Sequence, residues 1–209
     1  MATTVQRSKG LYYGWIIAFS SLVIMWITNG ITLAGLTVFD EEILNFLGGE
    51  SGGDGLRGAL KFRDLITLFA SGLMAPFVGA IADRVGVRPL MIIGFLLLSA
   101  GNFFYSKIAT LNDIYLIHLV LATSLACSGL VINVMLVSKW FVAKRGVALG
   151  ITVAGTSLGN AALPQLNAWL VAEFGWRTAF AYTSIIPLLL IPLVLFVVRE
   201  KPEDMGLVA

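Results

Sequence analysis

The sequence predicts an all-α membrane protein built from six transmembrane helices. Two observations carry this. Of the 209 residues, 58% are hydrophobic and only 12% charged, whereas an ordinary soluble domain is roughly a quarter charged. The apolar residues also gather in six stretches divided by charges, glycines and prolines, and a spanning helix needs about 20 of them. A mean hydropathy of +0.90 leaves too few polar side chains to cover a water-exposed globule, which excludes a soluble enzyme. A net charge of +2 argues against a nucleic-acid partner, and a single cysteine, Cys127, excludes a disulfide framework.

The helices are placed at about residues 11–39, 60–82, 89–107, 113–138, 147–173 and 178–199, so that 1–209 is one six-helix domain. The first is too long for a signal-peptide core and lacks a small-residue cleavage site, so it is read as retained. Residues 40–58 hold Asp40-Glu41-Glu42 and a run of glycines, and are expected to form a flexible external loop, a lid or a plain linker. Residues 200–209 form the tail. With both termini in the cytoplasm, nine cationic residues face inside: Arg7, Lys9, Arg84, Arg88, Lys139, Lys144, Arg145, Arg199 and Lys201. Arg57, Lys61, Arg63, Lys107 and Arg177 make five outside, so the positive-inside rule puts both termini in the cytoplasm.

The second helix carries the most telling polar residues. Lys61 and Asp64 are spaced to pair on one face and are candidates for ion pairing or proton coupling. Arg63 stands above Thr67 and Ser71 on another face and is the cation least neutralised within its own helix. Polar groups at membrane depth are costly and tend to face a cavity or a partner. Arg63 therefore has two readings: a fork for a substrate carboxylate, or a side chain that snorkels to the surface. Thr67, Asn29, Thr32, Asn133 and Asn160 are candidate neutral substrate contacts, each of them equally able to bond a neighbouring helix. Asn102 and Tyr105 are weaker candidates. The lone histidine, His118, is read as structural, although its pKa would suit proton sensing. No catalytic residue, metal or cofactor is expected.

In the segment Gly79-Ala80-Ile81-Ala82-Asp83-Arg84-Val85-Gly86-Val87-Arg88, Gly79 permits close helix approach and Gly86 a tight turn. Asp83 is an anion able to meet the positive N-terminus of a neighbouring helix. The segment resembles the loop signature of the major facilitator superfamily. Lys139-Trp140-Phe141 through Lys144-Arg145-Gly146, then Gly150, Gly155, Gly159 and Pro164, resembles the monocarboxylate porter and oxalate/formate antiporter branch. Tyr13-Gly14-Trp15 and Phe174-Gly175-Trp176-Arg177 fit the same branch.

The resemblance implies half of a major-facilitator fold: a 3+3 inverted-repeat bundle, echoed by Gly86-Val87-Arg88 before the third helix and Gly175-Trp176-Arg177 before the sixth. It makes Gly79, Asp83, Arg84, Gly86, Arg88 and Arg145 a conformational gate; Gly150, Gly155 and Gly159 are read from the residues themselves as a small-residue, helix-packing face. It implies an integral, multi-pass secondary transporter of small organic anions, mono- or dicarboxylates, working by alternating access. The expected partners are the lipid bilayer and a second copy of the chain, and the expected location is the cytoplasmic (inner) membrane of a prokaryote. Two alternatives stand beside the homodimer: the N-terminal half of a longer twelve-helix transporter, and a non-transporting scaffold or sensor subunit.

Overall fold

The computed structural model describes residues 12–48 and 54–206. Among them every regular element is helical, and six helical stretches are long and apolar enough to cross a membrane: Tyr13–Gly48, Gly55–Val85, Val87–Tyr105, Leu111–Trp140, Arg145–Phe174 and Trp176–Phe196.

The first stretch is α1 (Tyr13–Asn29), a π turn at Gly30–Ala34, a 3-10 turn at Gly35–Phe39, and α2 (Asp40–Gly48). Much of the expected external loop is therefore helix, since α2 prolongs the first span and α3 (Asp54–Val85) starts before it ends. The physical reason lies in the acidic triplet. Asp40, Glu41 and Glu42 occupy the first turn of α2, where carboxylates complement the helix dipole, while Ile43 and Leu44 are buried. The glycine-rich centre, residues 49–53, lies outside the described residues.

The remaining spans are α4 (Val87–Tyr105), the pair α5 (Leu111–Ser128) and α6 (Leu130–Trp140), α7 (Arg145–Phe174), and α8 (Trp176–Thr183) with α9 (Leu190–Phe196). Pro187 opens the 3-10 turn Ile186–Leu189 between α8 and α9, as a residue without an N–H must interrupt the α-helical ladder.

The two halves of the chain repeat one plan. Each begins with a broken span: α1 to α2 breaks at Gly30–Phe39, and α5 to α6 at Gly129. Each continues with a long helix holding one internal proline, Pro76 in α3 and Pro164 in α7. Each then turns on a glycine of positive φ, Gly86 (φ 89°, ψ 164°) and Gly175 (φ 76°, ψ 158°), into its third span. Only glycine adopts that conformation freely, so the short sequence echo marks a shared backbone geometry. The two turns lie at opposite ends of the bundle. Gly86 neighbours Glu200 beside the chain's end, whereas Trp176 packs on Phe46.

Packing divides into two apolar clusters. One, at the end near Tyr12, gathers Ile17, Phe95, Leu136 and Trp140; the other gathers Phe39, Leu98, Tyr105 and Phe180. Phe180 stacks on both Phe39 (3.9 Å) and Tyr105 (4.6 Å). The α1–α7 seam is the tightest contact. A Cβ on Gly159 would strike the Trp26 carbonyl oxygen and lie 2.9 Å from Gly30 Cα, and one on Gly155 would strike the Leu22 carbonyl. Gly150 does not share that face: nothing stands within 4 Å of its Cβ position. Two of the three expected packing glycines thus line the seam, because an i to i+4 step keeps a helical face and the five-residue step from Gly150 does not.

Candidate functional site

A charged cluster built around the fully buried Arg63 closes the end of the bundle remote from Tyr12. Asp40 begins α2, while Lys61, Arg63 and Asp64 stand two to three turns into α3. Asp40 accepts from Arg63 through Oδ1, and its Oδ2 lies 2.5 Å from Lys61 Nζ. Arg63 Nη2 also donates to the Leu36 carbonyl (3.4 Å), its Nε lies 3.5 Å from Asp64 Oδ1, and Lys61 lies 3.9 Å from Asp64. Arg63, expected to be the cation least neutralised within its own helix, takes its counter-ion from the neighbouring span, where helical spacing within α3 could not reveal it. Nor does it snorkel, because its side chain is 0% exposed.

That burial leaves donors over. A guanidinium carries five N–H groups, and Nε and Nη1 of Arg63 have no hydrogen-bond partner among the described residues. Beneath Arg63 runs a second buried chain of polar groups. Thr67 Oγ1 donates to the Arg63 carbonyl (3.3 Å) and lies 2.6 Å from His118 Nδ1, and His118 Nε2 lies 2.5 Å from Tyr105 Oη. Both ring nitrogens are engaged, which ties α3, α4 and α5 together. The structural reading of His118 agrees with this geometry. Its partners, like Asp40, went unrecognised because each sits on a different span, and the one available signal was three polar residues at a similar depth.

The other candidate contacts fall in three environments. Asn29 donates to Thr156 across the α1–α7 seam (2.8 Å), and Thr32 is buried nearby with an unpartnered hydroxyl. Asn133 donates to the Ser128 and Gly129 carbonyls (2.8 Å each), so it satisfies the backbone freed where α5 gives way to α6. Asn160 is exposed on α7. Asn167, a residue the sequence reading passed over, is buried; it donates to the Gly35 carbonyl (3.0 Å) and accepts from Thr183 (3.1 Å), and so holds the 3-10 turn of the first span.

At the opposite end, the expected gate motif divides. Glu200 accepts from the backbone N–H groups of Val87 (3.2 Å) and Arg88 (3.0 Å), so it caps first-turn donors of α4, which have no acceptor within the helix, with a full negative charge. Arg88 donates to the Leu195 carbonyl (2.7 Å). Trp140 Nε1 donates to the Arg199 carbonyl (3.0 Å), Tyr13 to that of Val197 (2.6 Å) and Tyr12 to that of Trp140 (2.7 Å). Partial burial, and secondarily the Glu203 carboxylate, raise the Tyr12 phenol above its ordinary pKa. Gly86 and Arg88 are thus fastened within this bundle. Gly79 is half-buried, and a Cβ added there would stand 4.0 Å from Met135 Sδ, at ordinary contact distance, whereas Asp83, Arg84 and Arg145 are exposed.

The family model of the Major Facilitator Superfamily matches residues 57–208. The chain belongs to that superfamily. Among curated relatives, the Riboflavin transporter RibJ of Trypanosoma brucei brucei is 29% identical over 176 residues, covering 82% of this chain and 31% of the relative. An MFS-type transporter of Gibberella moniliformis is 31% identical over 154 residues, 69% of this chain and 36% of the relative. Monocarboxylate transporter 4 of Gallus gallus is 29% identical over 172 residues, 80% and 34%. The chain spans about a third of the length of these relatives. It is an integral multi-pass membrane protein of a transport family, with six candidate spans that make up half of that fold.

Proposed function

We propose that this chain is one six-helix half of an alternating-access carrier for small organic anions, with both termini on the cytoplasmic side. The observation that carries the anion reading is Arg63, a fully buried cation with unpartnered donors on Nε and Nη1. A buried donor without an acceptor is costly, and a carboxylate supplies two acceptor oxygens to such a fork. The monocarboxylate transporter among the relatives supports the same substrate class. Thr67 steadies the Arg63 turn, while Asn29, Thr32 and Asn160 provide neutral contacts along α1 and α7. Asn133 serves the α5–α6 break before it serves a substrate. Metals, cofactors and catalysis have no part in this reading.

The missing six helices come from a second copy in a C2 dimer, where Asp83 of one protomer faces the N-terminus of its partner's α7, near Arg145. Exposure of both residues at the same end of the bundle supports this. The one-third span of the relatives favours a different source, the C-terminal half of a longer chain. A cytoplasmic membrane remains the expected location, but these relatives are eukaryotic and lend nothing to a prokaryotic one.

Counterflow of radiolabelled lactate in proteoliposomes, alongside the native mass of the same preparation, tests both statements. Saturable counterflow by a dimer is the expected result. A monomer that transports overturns the homodimer, and an intact dimer without counterflow of any short carboxylate favours a scaffold.

A further inference from the structure

We propose that Asp40 is an internal counter-anion: in the empty protein it holds the place on Arg63 that a substrate carboxylate takes, and Lys61 retains it when the substrate arrives. This rests on the transport reading above. The geometry divides the Asp40 carboxylate between two cations. Oδ1 serves Arg63, whose side chain is 0% exposed, and Oδ2 lies 2.5 Å from Lys61, whose side chain is 52% exposed. Asp40 itself is 15% exposed, so it stands between the sealed cation and the open one. A carboxylate held by one oxygen to each can release the inner cation and remain bound to the outer.

Charge balance says why the arrangement matters. Lys61, Arg63, Asp40 and Asp64 form a neutral group of two cations and two anions. Asp64 is a poor substitute for Asp40, because it lies 3.5 Å from Nε without a hydrogen bond and is 42% exposed. A buried charge deprived of its partner is strongly destabilising. With Asp40 present, Arg63 is compensated both empty and loaded, and the protein can reorient in either state. Without Asp40, only the loaded protein is compensated. Asp40 therefore permits net movement of substrate, whereas one-for-one exchange does not require it.

The full chain in liposomes provides the test, with radiolabelled lactate as the probe. Net uptake into empty vesicles and counterflow into lactate-loaded vesicles are measured on one preparation. In Asp40→Asn the ratio of net uptake to counterflow falls by about tenfold or more, as expected for an uncompensated buried charge. The half-saturating lactate concentration in counterflow falls with it, because an internal competitor is gone. An unchanged ratio overturns the proposal, as does loss of both fluxes in a variant that elutes like wild type. Where Asp40→Asn does not reconstitute, Lys61→Gln decides. Asp40 then settles wholly on Arg63, and half-saturation rises about threefold or more by competition; an unchanged value overturns the proposal. Wild-type counterflow with an unaltered Asp40→Asn ratio refutes the counter-anion alone, whereas wild type without counterflow removes the transport reading beneath it.

Discussion

Replacing Gly159 with alanine tests the α1–α7 seam most directly. The added Cβ falls on the Trp26 carbonyl oxygen and stands 2.9 Å from Gly30 Cα and 3.0 Å from Gly30 N. All three are backbone atoms of the facing helix, so no side-chain rotation relieves the clash. Ordinary contact begins near 3.4 Å, and reaching it means parting the two helices by up to about 1 Å. A gap of about 0.5–1 Å forfeits a quarter to a half of each dispersion well along the seam. Overpacking of this kind costs about 1–3 kcal/mol, or about 5- to 150-fold in the folding equilibrium. Gly150→Ala is the matched control: same helix, same chemical change, and nothing within 4 Å of the new Cβ. There alanine's helix propensity contributes up to about 1 kcal/mol of stabilisation in a helix interior. Reversible unfolding in mixed micelles, followed by tryptophan fluorescence, measures both variants. Gly159→Ala should lose stability where Gly150→Ala holds or gains it. Equal stability of the two would refute the backbone contact as the reason for glycine at position 159.

Glu200→Gln removes the charge of the α4 cap together with one of its two acceptor oxygens, since the amide nitrogen then faces one of the two N–H groups. The expected loss is about 1 kcal/mol, read in the same unfolding assay and reduced at high salt; no change would mean that the Val87 and Arg88 N–H groups are equally well served by water. Asn167→Ala removes the side-chain donor to the Gly35 carbonyl, while the Thr183 hydroxyl keeps the Ala179 carbonyl as its acceptor; the expected loss is about 1–3 kcal/mol, and hydrogen exchange should quicken at Gly35–Phe39 before it quickens in α4. His118→Leu removes the link between Thr67 and Tyr105 and should cost a similar amount, whereas Thr67→Val should cost less because His118 keeps its bond to Tyr105. Equal losses for those two would place the stabilisation in the packing rather than in the hydrogen bonds.

The spans were legible in the sequence because a bilayer demands long apolar runs, and composition alone reports such runs. The repeat was legible through Gly86 and Gly175, since a positive φ in mid-chain leaves a glycine wherever it occurs. What could not be read were pairings between spans. Helical periodicity relates Lys61 to Asp64 on one helix, but it carries no information about Asp40, which lies on another. The acidic triplet then looked like loop, because acidic residues lower apolar scores whether they sit in water or cap a helix. Glu200 was invisible for the same reason, as its two backbone partners lie 112 and 113 residues away. Gly150 was misplaced by reading three small residues as one face without following the rotation of the helix between them.

The two least buried long helices, α3 and α7, bear on what surrounds the bundle. On α3 the inward face carries Arg63 and Thr67, both buried, while Leu65, Leu68, Phe69, Leu73, Phe77 and Ile81 are exposed. A helix that turns Arg63 inward and its leucines outward is stable only against an apolar medium or an apolar partner. The perimeter of α7 is not uniform in this respect. Val153, Leu158, Leu166 and Trp169 suit hydrocarbon, but Ser157 and Asn160 are also exposed, and an unpartnered amide in lipid is costly. Hydrocarbon is therefore a poor neighbour for that strip, which adjoins Gly159 and the α1 seam. Water or a second polar surface satisfies it better, which sets that strip of α7 apart from the leucine-rich flank of α3.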